Sequence, residues 1–238
     1  QQIRNSTERA AKLTRDLLTY AGKEKEPLQI IDISDLVKHA LDILTPNLKS
    51  QVFVYSEIPE KTPPIEGSPN QLMQIVTHLF NNAVESLPEE GGDIKVQIGK
   101  VYLSKEDLRK LSYSDNSTPG EYVYISITDT GSGIKEEHLP KIFDPFFSTK
   151  FLGRGLGLST VATTVRNHKG AIKVQTEEGK GTTFTVYLPV LRVKPERGEE
   201  IDKGTILIID DELEIQKLLF RALSKEGYKI LQALNGNE

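Results

Sequence analysis

The sequence predicts an α+β chain built around a layered α/β domain, and three observations carry that prediction. Short apolar-rich segments at 29–33, 51–57, 94–102, 122–129, 171–176 and 182–188 read as strands. Apolar residues at three- and four-residue steps mark helices at 34–44, 70–87 and 156–168. After Pro189 the composition shifts to a charged run containing Pro and Gly, up to Gly204, and a fresh apolar strand starts at Thr205. The expected organisation is a helix over 1–25, a main domain over 26–190, a linker over 191–204 and a second segment over 205–238.

The elements follow in order. Ile3, Ala10, Leu13, Leu17 and Tyr20 form a helical seam with Ser6 as its polar exception, ended by Gly22 and the Lys-Glu-Lys-Glu-Pro27 stretch. That helix suits a bundle or docking on its own domain. The strand at 29–33 leads into a helix that Ser34 is expected to cap. The helix at 70–87 carries His78, Asn81, Asn82 and Glu85. Between Leu103 and Gly120 a polar stretch reads as a loop insertion with a short helix near 105–111, expected to lie away from the chemistry. The strand at 122–129 runs into Asp129-Thr-Gly131-Ser-Gly133-Ile134, and a short helix is expected over 135–142. Phe143 to Phe147 follows, then Gly153-Arg154-Gly155-Leu156-Gly157-Leu158 opening the next helix, then a turn at Gly179 to Gly181 entering the last strand. In the second segment an apolar strand ends in Asp210 and Asp211, followed by an amphipathic helix through Leu218, Leu219 and Leu223 and a strand at 229–234.

Composition excludes several classes. Thirty basic against thirty-four acidic residues leave a net charge of −4, which gives a nucleic-acid role no electrostatic support. The chain has no cysteine, hence no disulfide, thiolate metal site or cysteine nucleophile. No apolar run approaches the ~18 residues needed to cross a bilayer, and no secretory signal pattern opens the chain. A soluble, cytoplasmic location is expected. Gln1 at the start and a stop at Glu238 in mid-pattern lead us to expect a fragment of a longer protein.

The chemistry lies in three separated pieces. An aspartate before a glycine turn, Asp129, can accept a hydrogen bond from an adenine amino group. The glycine cluster at 153–157 opens a helix whose N–H groups can face phosphates. Asn82 on a third element can hold the magnesium ion that bridges those phosphates, because Mg²⁺ takes few protein oxygens beside water and substrate. Singly, these are a surface turn, a flexible loop and a solvated pair. In this order they converge on one ligand, ATP with Mg²⁺. Asp210 and Asp211 fit either a Mg²⁺ site or a helix cap.

With these motifs, residues 1–190 resemble the catalytic, ATP-binding domain of sensor histidine kinases, in the superfamily shared with gyrase, Hsp90 and MutL. The resemblance implies a two-layer α/β sandwich, a mixed sheet with helices on one face. It identifies His78 to Ala83 as the N box and Asp129 to Gly133 as the G1 box. Phe143 to Phe147 matches the F box and Gly153 to Leu158 the G2 box. Thr182 is implied to sit near the adenine, and the segment between Gly133 and Gly153 to form the lid. The implied nucleotide-binding set is Asn81, Asn82, Glu85, Asp129, Gly131, Gly133, Ile134, Phe147, Lys150, Gly153, Arg154, Gly155, Leu156, Gly157, Leu158 and Thr182. Residues 1–25 correspond to the second helix of a dimerisation hairpin, which implies a homodimer. Residues 205–238 look like the first β-α-β of a receiver domain, with Asp210 and Asp211 as its Mg²⁺-holding pair. A hybrid sensor histidine kinase is therefore expected, with its own dimerisation domain and a receiver or response regulator as partners.

Two positions depart from the family pattern. His78 stands where the gyrase and Hsp90 branch carries a water-activating Glu, so it is either a general base or a packed helix histidine. Glu85 replaces a frequent Lys, which leaves Lys150 and Arg154 to neutralise phosphate, with solvated lid charges as the alternative. None of the four histidines has the context of a phospho-acceptor, and His168 reads as a polar or cationic helix C-terminus. We expect no autophosphorylation of this chain alone, and a receiver piece too short to close its sheet or to transfer phosphate. A gyrase-type ATP hydrolase and a dimeric nucleotide-binding scaffold without transfer are the alternatives.

Overall fold

The computed structural model describes residues 27–149, 155–191, 204–225 and 228–233. The helix expected over 1–25, most of the linker, and Lys150, Gly153 and Arg154 lie outside the described residues. The chain forms two compact units that divide after Leu191.

The first unit begins with β1 (Gln29–Ile31), α1 (Ile33–Leu44), β2 (Val52–Glu57) and β3 (Ile65–Gly67). It continues with α2 (Pro69–Ser86), β4 (Gly92–Leu103), α3 (Lys105–Arg109) and β5 (Gly120–Asp129), and ends with α4 (Gly157–Asn167), β6 (Ala171–Glu177) and β7 (Gly181–Pro189). Five strands make a mixed sheet in the order β2-β4-β5-β7-β6, parallel between β2 and β4 and antiparallel elsewhere. Alternation along β5 explains the layering. Val123, Ile125 and Ile127 point into the main core with Ile94, Val96, Phe184 and Val186, against Leu72, Ile75, Leu79 and Phe80 of α2 and Val161 and Val165 of α4. The long helices thus share one face. On the other face the short α3 seals the sheet end, where its Leu108 packs with Leu103, Tyr122 and Ala171.

Four local expectations change. Asp32, not Ser34, caps α1: its Oδ1 accepts from Ser34 N at 2.9 Å, and from Thr62 N at 3.1 Å and Thr62 Oγ1 at 2.7 Å. Burial pushes that carboxyl up, but the hydrogen bonds from Thr62 and Ser34 prevail and hold it below the usual range. The strand β3 is additional and pairs with β1. Residues Glu136–Lys141 form a 3-10 turn, since Pro140 falls inside it and removes an N–H donor. The 103–120 insertion does reach the motifs: Tyr113 exchanges backbone hydrogen bonds with Ile172 and sets its ring 6.0 Å from that of Phe143.

His168 is a buried, neutral clamp rather than a cationic helix end. Its Nε2 accepts from Ser68 N at 3.1 Å, which leaves Nδ1 as the protonated nitrogen, donating to Thr164 O at 2.8 Å. The ring ties the end of α4 to Ser68, whose hydroxyl caps α2. Burial lowers its pKa below the ordinary 6.5, only partly opposed by the Thr164 hydrogen bond. The unfolded chain therefore takes up the proton first, and stability contributed by neutral His168 is complete above about pH 6.5 and falls as pH drops through the folded pKa. His168→Ala is expected to cost roughly 2 kcal/mol at pH 8. Urea denaturation should show that difference shrinking at pH 5.

The second unit pairs β8 (Thr205–Ile209) with β9 (Lys229–Ala233) in parallel, joined through α5 (Leu213–Lys225). Gln216 Nε2 donates to Asp210 O and Ala233 O, both at 2.7 Å, and so ties the carboxyl ends of the two strands together. Leu207, Ile209, Leu218, Phe220 and Leu231 are exposed, so this unit leaves much of its apolar surface open.

Candidate nucleotide-binding site

The carboxyl end of β5, the last turns of α2, the start of α4 and the segment from Ser132 to Thr149 enclose a cavity of about 320 Å³. That volume lies in the range of small-molecule sites. Of the residues expected from the sequence, Asn82, Glu85, Asp129, Gly133, Ile134, Phe147, Gly155, Gly157, Leu158 and Thr182 line it. Asn81, Gly131 and Leu156 do not. Leu156 is buried at the entry to α4, where its carbonyl accepts from Ser159 Oγ and Thr160 N, both at 2.9 Å.

Asp129 sits at the floor, 5% exposed. Its Oδ1 accepts from Gly131 N and from Ser86 Oγ, each at 2.8 Å. The strand register sets Thr182 of β7 directly opposite Asp129. Thr182 Oγ1 lies 2.9 Å from Thr176 Oγ1, and Thr176 in turn accepts from Ile134 N at 2.9 Å. The turn after Asp129 is thus clasped by the β6–β7 hairpin. Gly179 N donates to Ser132 O at 2.8 Å, and a Cβ on Gly133 would sit 2.2 Å from Glu177 O. Gly133 also holds φ at 68°, so two requirements fix glycine there.

The other wall joins the F-box stretch to the glycine cluster. Phe146 N donates to Gly155 O at 2.9 Å, Phe146 itself has φ of 66°, and the Phe147 ring lies 5.6 Å from His138. Among the described residues no side chain caps the N-terminus of α4, which opens on Gly157 and Leu158 at the cavity. Its first-turn N–H groups have the character of an anion site. His78 is buried and packs under that turn, where a Cβ on Gly157 would lie 3.3 Å from Nδ1. It forms no part of the cavity wall.

Ser86 and Glu178, which lie outside the motifs, also line the cavity, with Ser132, Phe184 and, from the expected lid, Lys135, His138, Ile142, Ser148 and Thr149. Ser86 was findable, since it stands four residues after Asn82 on one helix face. Among the described wall residues the carboxylates Glu85, Asp129 and Glu178 share the cavity with Lys135 and the His138 ring. Among the described residues no group of three or more His, Cys, Asp or Glu could hold a metal by itself.

The model of the histidine kinase-, DNA gyrase B-, and HSP90-like ATPase family matches residues 67–192. The chain is 30% identical over 253 residues to sensor kinase CckA of Brucella abortus, covering 99% of this chain and 26% of that protein. It is 31% identical over 191 residues to sensor histidine kinase ZraS of Escherichia coli, covering 80% and 37% respectively. Sporulation kinase E of Bacillus subtilis is 30% identical over 196 residues, covering 82% and 24%. The chain thus spans 24% to 37% of the length of these relatives. Among solved structures, full-length ShkA in complex with AMPPNP superposes with a TM-score of 0.63 at 22% identity, covering 99% of this chain and 48% of that one. The catalytic domain of histidine kinase ThkA gives 0.54 at 24%, covering 69% and 97%. Both share the fold. No helix among the described residues is long and apolar enough to cross a membrane. On the family match over residues 67–192, the chain belongs to the histidine kinase-, DNA gyrase B-, and HSP90-like ATPases, and its first unit is an ATP-binding catalytic domain of the sensor histidine kinase type.

Proposed function

We propose that this chain is the catalytic region of a hybrid sensor histidine kinase that binds MgATP and presents its γ-phosphoryl to a histidine, for relay to an aspartate. The observation that carries this reading is the convergence of Asp129, Asn82 and the uncapped start of α4 on one cavity. Asp129 selects adenine by accepting from its amino group, and Thr182 borders the base. Asn82 supplies one oxygen to Mg²⁺, which when bound neutralises phosphate charge. The α4 N–H groups, Lys150 and Arg154 take the remaining charge. Catalysis of this type is mostly positioning and charge neutralisation.

The same reading covers organisation and partners. Residues 1–25 act as part of the dimerisation hairpin, 191–204 as linker, and 205–238 as the first β-α-β of a receiver with Asp210 and Asp211 at its metal site. Likeness over 99% of the chain to CckA, against 80% to ZraS, supports a shared arrangement that includes this second unit. A homodimer and a receiver or response regulator are the proposed partners, in the cytoplasm. None of the four histidines is proposed as the phospho-acceptor: His39, between Lys38 and Ala40, lacks the acidic neighbour and downstream Pro of an acceptor, His78 and His168 are buried, and His138 lines the cavity. The placement of His78 away from the cavity wall weighs against a gyrase-type hydrolase.

Calorimetric titration of MgATP tests the reading, with Asn82→Ala beside the wild-type chain. Saturable, Mg²⁺-dependent binding is expected, and Asn82→Ala should weaken binding about tenfold or more with Mg²⁺ present while changing it little in EDTA. Absence of wild-type binding by a folded chain would overturn the proposal.

A further inference from the structure

We infer that Ser86 is a positioning residue for base selection, orienting the Asp129 carboxylate through its hydroxyl. The inference rests on the ATP reading above and extends it to a residue outside the boxes. Asn82 and Ser86 stand one turn apart on α2, roughly 6 Å along the axis, so one helix face serves both the metal end and the base end of the cavity.

The hydroxyl of Ser86 has one proton and two acceptors within reach, Ala83 O at 2.7 Å and Asp129 Oδ1 at 2.8 Å. An ionised carboxylate is the stronger acceptor, so the proton goes to Asp129. Gly131 N reaches the same oxygen at 2.8 Å. Two donors on one oxygen restrict the carboxylate's torsion and so set how it meets an amino group. The backbone around the pair is equally constrained. Ser132 N donates to Ser86 O at 3.0 Å, and a Cβ on Gly131 would fall 2.2 Å from Ser86 Oγ. Ser86 therefore sits on a fixed mount, and its hydroxyl adds orientation that Gly131 N alone leaves loose.

The discriminating probe is the nucleotide. Purine riboside triphosphate carries hydrogen where ATP carries the 6-amino group, so it cannot report on the contact with Asp129. Calorimetry on the 238-residue chain with Mg²⁺ should show Ser86→Ala weakening ATP about tenfold and purine riboside triphosphate less than about twofold. Binding stoichiometry reads the folded fraction, and partial unfolding would lower it for both nucleotides without changing the ratio of their affinities. Equal weakening of the two would reduce Ser86 to a structural role, and no change in either would remove it from base selection; both results overturn the inference while leaving ATP binding intact. Failure of the wild-type chain to bind ATP at all would instead sink the ATP reading, and this inference with it.

Discussion

Asp129→Asn should lose ATP affinity by about 100-fold while the fold survives. The size follows from the kind of contact, since a hydrogen bond to a charged group is worth roughly 1.5–3 kcal/mol and 1.4 kcal/mol is tenfold. The asparagine carbonyl can keep the two acceptor contacts that Asp129 Oδ1 now makes with Gly131 N and Ser86 Oγ. Those two donors fix which way the amide turns. The new NH₂ group then takes the place of the second carboxylate oxygen, and a donor meets the amino group of adenine where an acceptor is required. Calorimetry with MgATP reads the affinity, and a thermal melt reads the fold. A melt shifted by only a few degrees together with lost binding is the expected pair of results. Undiminished affinity would remove Asp129 from base recognition and leave the cavity without its assigned purpose.

Much of this was legible because local pattern and tertiary role agree. The buried face of β5, Val123, Ile125 and Ile127, alternates as a half-buried strand must, and Asp129 stands where that strand gives way to a glycine turn. The parts that were not legible depend on partners far away in sequence. β3 is three residues long, too short for any period, and exists because it pairs with β1 some 35 residues earlier. The sequence offers Ser34 as the cap of α1, whereas Asp32 takes that place because Thr62, thirty residues on, completes the hydrogen bonds of its carboxylate. Phe184 enters the cavity wall through the β5–β7 register, which no linear spacing encodes. His168 shows the same limit. Its place at a helix end was visible, but its neutral tautomer is set by Ser68, a hundred residues away.

Gly181→Ala should destabilise the first unit by about 3 kcal/mol. Gly181 has φ of 119°, and an added Cβ would lie 1.9 Å from Asp129 O and 3.0 Å from Thr130 Cα. A positive φ costs an L-residue roughly 1–2 kcal/mol, and overpacking against backbone adds about 1–3 kcal/mol. Neither side can yield cheaply. Asp129 O belongs to the strand end that sets the floor of the cavity, and Gly181 starts the strand that carries Thr182 opposite it. Relief of the clash must part β7 from β5 at the one register position where both strands contribute to the site. Loss of stability should therefore come with loss of MgATP binding in whatever fraction stays folded. Gly179→Ala separates the two causes, because Gly179 also has a positive φ, 79°, yet nothing lies within 4 Å of its Cβ position. That variant should cost only about 1 kcal/mol and bind MgATP as before. Were Gly179→Ala as damaging as Gly181→Ala, backbone conformation alone would explain both, and the close approach of the β7 entry to Asp129 would have no part in holding the site.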